Sequence, residues 1–143
     1  MSDQTNTTES SRPRTGLIAS SLPALPDGYV SRLYPSDNHA INGPWTDQQI
    51  PLHQRFIEAL GGIKWFLIDR WRIGYGESYE AMSRQHRSQR PFTICVSVRP
   101  GSTTVEQGQA AVLRCKQVLD EFGFTDVEVR IGASEGWGNL SEN

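Results

Sequence analysis

Between Phe92 and Ile131 the hydrophobic period changes twice, and that stretch constrains the fold more than any other part of the chain. Phe92-Thr93-Ile94-Cys95-Val96-Ser97-Val98 alternates apolar with small or polar residues, the period of a strand. Val105, Gly108, Val112, Cys115, Leu119 and Phe122 then recur at three-and-four spacing, the period of a helix, and Val127, Val129 and Ile131 alternate again. The spacing predicts a β-α-β unit with a parallel strand pair and a right-handed crossover. Thr103 and Glu106 have capping-box spacing for the start of the helix, and Phe122-Gly123-Phe124 places a glycine where the backbone turns left-handed at its end. Gly108 lies on the buried stripe, where the lack of a side chain lets the helix approach the sheet closely. None of the inward positions carries an acid, base or nucleophile in a recognisable arrangement.

A second strand is predicted at Ile63–Ile73, with Ile63, Trp65, Leu67, Trp71 and Ile73 on the inward face, which Asp69 interrupts as a possible bulge. Phe66, Ile68, Arg70 and Arg72 then point outward. A short helix is expected over Gln48–Leu60, capped by Thr46 or Asp47, with Leu52, Phe56 and Leu60 on one face and Gly61-Gly62 as its stop. Pro51 falls near its first turn, where a missing amide hydrogen costs little. Gly74–Gln89 reads as a long polar loop with a helical turn at Ser78–Arg84. These elements predict an α+β fold: a small mixed sheet with helices on one face, a two-layer sandwich, in one domain over residues 26–131.

The first 25 residues lack apolar periodicity, so the ordering entropy of a fixed backbone would go unopposed, and a disordered tail is expected there. Prolines 23, 26, 35 and 44 make the following stretch an irregular arm. Residues 132–143, with the lone Trp137, are expected to form a flexible tail. No basic start followed by an apolar run resembles a secretory signal, and no span has the length of a membrane helix, so an intracellular, cytoplasmic protein is expected.

A formal net charge of −2 over 143 residues argues against a whole-surface attraction to nucleic acid or anionic lipid. A local patch stays open: Arg84, Arg87 and Arg90, with His86, form a candidate basic surface for RNA or phosphate, unless its arginines pair with Glu77 and Glu80 as a solvated loop. Gly74-Tyr75-Gly76 lacks the third glycine, the lysine and the helix start of a phosphate-binding loop and reads as a turn. The histidines at 39, 53 and 86 are not placed beside Cys95 or Cys115, and no His or Cys pair has ligand spacing. No metal or cofactor is expected, and the two cysteines read as buried thiols.

The run Phe92–Pro100, Gly108, Cys115-Lys116, Leu119 and Phe124–Ile131 resembles an uncharacterised family of fungal proteins, and Trp71–Ser78 is similar to that family's "RIGY" segment. Longer family members, as the resemblance implies, continue into a trypsin-like peptidase region that is absent here. Arg130-Ile131-Gly132 also departs from the family's acidic exit, so no catalytic residue carries over. The expected function is a non-enzymatic protein-interaction or accessory module, meeting a protein partner or a second copy through Phe66, Ile68, Arg70, Arg72 and Tyr75. An RNA- or phosphate-binding module is the alternative, and an orphan hydrolase the third.

Overall fold

A computed structural model describes residues 16–36 and 38–134. Five strands form one curled mixed sheet: β1 (Gly16–Ser20), β2 (Val30–Pro35), β3 (Trp65–Gly76), β4 (Phe92–Val98) and β5 (Val127–Ala133), in the order β1-β5-β4-β3-β2. Four helices join them: α1 (Asn42–Thr46), α2 (Leu52–Leu60), α3 (Tyr79–Ser83) and α4 (Val105–Glu121). The fold is α+β, and β4 and β5 are the expected parallel pair on either side of α4.

Alternation decides which side chains meet the helices. Phe92, Ile94, Val96 and Val98 of β4 pair in register with Val127, Val129, Ile131 and Ala133 of β5, and all but Ala133 are buried in the main core. Against them α4 lays Gly108, Ala111, Val112, Cys115, Val118 and Leu119, and α2 lays Leu52, Phe56 and Leu60. Arg114 locks the two helices together, since its Nε donates to the Ala59 carbonyl at 2.7 Å at the end of α2. Gly61 stops α2 at φ +61°, and Gly123 stops α4 at φ +87°.

Several boundaries differ from the sequence reading, each for a local reason. The capping box lies one residue later: Thr104 accepts from the Gln107 amide and Gln107 returns the bond, because this register turns Ala111 and Val118 inward as well. Val105 is consequently exposed. α2 begins only at Leu52, since Asp47 spends its carboxylate on the Gln49 amide and a separate turn, α1, tucks Trp45 into the core. Gly74 and Gly76 are not a turn but the end of β3. A Cβ on Gly74 would stand 2.8 Å from the Tyr34 ring, and one on Gly76 would stand 3.1 Å from Met82 Cγ, so these glycines admit β2 and α3.

The disordered tail expected for residues 1–25 is corrected at its end, as is the irregular arm after it. Gly16–Ser20 forms β1, an edge strand antiparallel to β5, and Val30–Pro35 forms β2 on the opposite edge. Ala19 reaches the core, and Ile18 packs beside it against Gly108. Residues 1–15 lie outside the described residues. At the other end β5 runs on through Gly132 and Ala133, and the Ser134 amide donates to the Val98 carbonyl, so the expected flexible tail does not start at residue 132. Trp137 lies outside the described residues.

Candidate functional site

Paired residues share a face, and the pairing of β3 with β4 reverses the expected facing of β3. Ile68 stands opposite Val96, Arg70 opposite Ile94 and Arg72 opposite Phe92, all on the helix side. Leu67, Asp69 and Trp71 stand opposite Ser97, Cys95 and Thr93 on the side without helices. The cause is a bulge between Trp65 and Leu67, where Phe66 is the extra residue, which shifts the alternation by one. Asp69 is not the bulge.

The expected interaction strip is therefore divided. Ile68 packs against the core, Arg70 Nη1 donates to Asn42 Oδ1 at 2.7 Å, and Arg72 donates to the Arg90 carbonyl while lying over the Phe92 ring. Phe66 lies at the bulge beneath the Arg99 guanidinium, 5.1 Å from its ring centre. Tyr75 alone of the five lies across the side without helices, paired with Ser31 of β2.

The expected basic patch is divided as well. Arg90 is a clamp: its Nη2 donates to the carbonyls of Ser83 at 3.1 Å and Gln85 at 2.5 Å, and its guanidinium covers the Tyr34 ring at 4.0 Å. Arg84 pairs with Glu80 at 3.3 Å, with both side chains exposed. Arg87 opens a short 3-10 turn capped by His86. The surface these three offer is a shallow hollow rather than a groove with aromatic platforms.

The histidines stay apart. His39 Nδ1 accepts from the Ile41 amide at 3.0 Å, which places its proton on Nε2, donated to Asp126 at 2.8 Å. Both nitrogens are thus occupied, and the ring stacks on Phe92 at 4.6 Å. His53 stacks on Trp45, and His86 caps its turn. Burial pushes the Cys95 thiol up to about 11, with Arg130 pulling it down and Asp69 pushing it further up, and burial pushes Cys115 up to about 12. Both are free, on opposite faces of β4, and neither is a thiolate at neutral pH. Among the described residues no three His, Cys, Asp or Glu side chains converge on a metal position, and no helix is long and apolar enough to cross a membrane.

What the sheet does assemble is a concave open face. The curl brings the two edges together, so that Gly16 next to β1's Leu17 and Leu33 of β2 line one cavity of about 270 Å³ with Cys95, Ser97 and Arg130. A second cavity of about 270 Å³ lies between Leu22, Leu25, Ile73, Tyr75 and Arg130, beneath the connection from β1 to β2. Ile73 and Thr93 are buried here although no helix covers them. Ser21 Oγ donates to Glu128 at 2.6 Å, and Lys116 lies 3.7 Å from the same carboxylate. Burial pushes the Tyr75 hydroxyl up to about 12, with Arg130 opposing and Glu128 and Cys95 adding to the shift. These neighbours lay the ring over β4 and β5. Arg130 belongs to the residues sequence reasoning missed, yet the signal was there: with Val127, Val129 and Ile131 inward, Glu128 and Arg130 must take the other face.

In comparisons with family models, curated proteins and solved structures, the chain matches none.

Proposed function

We propose that the chain is a non-enzymatic accessory module that holds a partner protein against the open side of its sheet. One observation carries this reading. Leu17 and Leu33, from opposite edge strands, are 58% and 41% exposed on the face that no helix covers, with Leu25 and Tyr29 of the β1–β2 connection exposed beside them. Exposed apolar side chains on a sheet face that no helix covers support a contact region there. The fungal family that the sequence resembles suggests the partner, namely the peptidase-like region that follows this module in longer members.

Calorimetric titration of the purified chain with that downstream region tests the reading, with sedimentation at high concentration to detect self-association. The wild-type chain should bind, and Leu33→Asp should weaken binding at least tenfold, because a carboxylate at an interface centre is desolvated without compensation. Far-UV circular dichroism should be unchanged. A strictly monomeric chain that leaves the downstream region unbound overturns the reading.

A further inference from the structure

The outer edge of β2 keeps main-chain groups that the sheet does not use. Opposite Leu33 stands Ile73, whose amide donates to the Pro91 carbonyl at 3.1 Å, away from β2. Opposite Ser31 stands Tyr75, whose amide and carbonyl are both taken by the Gln85 side chain, at 3.2 and 2.6 Å. Residues opposite one another in an antiparallel pair turn their amides and carbonyls either both toward the partner strand or both away from it. Ser31 and Leu33 therefore direct theirs outward, while Arg32 and Tyr34 bond to Gly74 and Arg72. Pro35, next in the outward alternation, has no amide to offer, which an edge tolerates.

Among the described residues no strand pairs with that edge. β2 is the last strand of the sheet, and Ser31, Arg32 and Leu33 are exposed. The opposite edge is a poorer template, because β1 has an irregularity between Leu17 and Ala19 that breaks its ladder, and its Ile18 sits against Gly108 of α4.

The side chains of the β2 edge fit a second copy of the same edge. Two β2 strands paired antiparallel meet only in registers that set outward residues opposite outward ones. Pairing about Ser31 runs off the strand at Tyr29, whose amide donates to the Pro26 carbonyl. Pairing about Arg32 sets two guanidinium groups directly opposite, which is unfavourable. Pairing about Leu33 sets leucine against leucine on the open side and Arg32 against Tyr34 of the other copy on the helix side. Within the chain Arg32 already approaches the Tyr34 ring, at 5.6 Å, as a cation beside a π face. In this register each Leu33 exchanges both main-chain bonds with its counterpart, and each Ser31 amide reaches the Pro35 carbonyl of the other copy.

We infer that two copies of the chain join their sheets by antiparallel pairing of β2 about Leu33. The contact uses the strand edge and stands apart from docking on the open side, with which it shares only the Leu33 side chain. A short strand pair makes a weak dimer, so amide hydrogen exchange is followed by NMR on the isotope-labelled full chain from dilute to millimolar protein. The Ser31 and Leu33 amides should exchange freely in dilute protein and at least tenfold more slowly in concentrated protein, while the Arg32 and Tyr34 amides, bonded to β3, should not respond. Cross-linking with oxidised glutathione reads the register, in a Cys95→Ser background because Cys95 lines the same cavity as Leu33. Leu33→Cys should join to its counterpart, since paired Cα atoms about 5.5 Å apart lie within disulfide reach, and Ser31→Cys should do so at least tenfold more slowly. Titration with the downstream region reports docking alone, so the two readings fail separately. Ser31 and Leu33 amides protected already in dilute protein, amides unprotected at every concentration, or Ser31→Cys cross-linking as fast as Leu33→Cys overturns the proposal.

Discussion

Replacing Gly108 by alanine measures how closely α4 lies on β1. A methyl built there stands 2.6 Å from Ile18 Cγ2 and 3.2 Å from Ala19 Cβ. Carbon atoms prefer about 3.5–4.0 Å, so either the β-branched Ile18 changes rotamer or the strand withdraws by about 1 Å. Overpacking of this kind costs about 1–3 kcal/mol, and the better helix propensity of alanine offsets about 1 kcal/mol of it. The net expectation is a loss of up to about 2 kcal/mol, more for Gly108→Leu, read as a melting temperature lowered by up to about 10 °C. Because propensity and clash have opposite signs, a double-mutant cycle separates them. In an Ile18→Ala background the 2.6 Å contact is gone, so Gly108→Ala should become close to neutral or stabilising, with a coupling of about 1 kcal/mol or more by denaturant titration. Effects that add to within about 0.5 kcal/mol would refute the packing argument, because the two sites would then be independent.

Relative to deletion of residues 1–14, deletion through Ser20 should lower the melt measurably by uncovering Gly108 and the edge of β5; equal melts for the two truncations would refute a structural β1. Tyr75 should ionise above the ordinary tyrosine range. Its folded value, about 12, lies above the ordinary 10.0, so its contribution to stability is full below pH 10 and is lost as pH rises through about 12. An ultraviolet titration checks this, and Tyr75→Phe should remove the late step. Asp126 is held below the usual carboxylate range by the hydrogen bond from His39. Its contribution is therefore present above the ordinary carboxylate value and lost as pH falls through the depressed one, and Asp126→Asn should flatten acid unfolding in that window. The effect should be small, because the Asp126 side chain is 69% exposed and solvent screens the pair.

The unit from Phe92 to Ile131 is legible because its signal is local: periods of two and of about 3.6 residues say which side chains face the core before any neighbour is known. Gly108 shows where that legibility stops. Its place on the buried stripe follows from spacing, but the element it admits, β1, has only five residues and owes its order to β5 and α4, and such long-range pairing leaves little trace in a short polar-flanked sequence. β3 failed differently. Its alternation is clear, yet one extra residue at Phe66 exchanges the faces of everything after it, and nothing in Trp65-Phe66-Leu67 marks the bulge. Both failures fall on the same part of the molecule. A reading without β1 and with the faces of β3 exchanged cannot see a concave surface closed by two edge strands, and so assigns Arg70 and Arg72 to solvent and overlooks Arg130. With the register corrected, Arg70 and Arg72 are fastened to Asn42 and the Arg90 carbonyl, and Arg130 is left facing the hollow of the sheet without a partner.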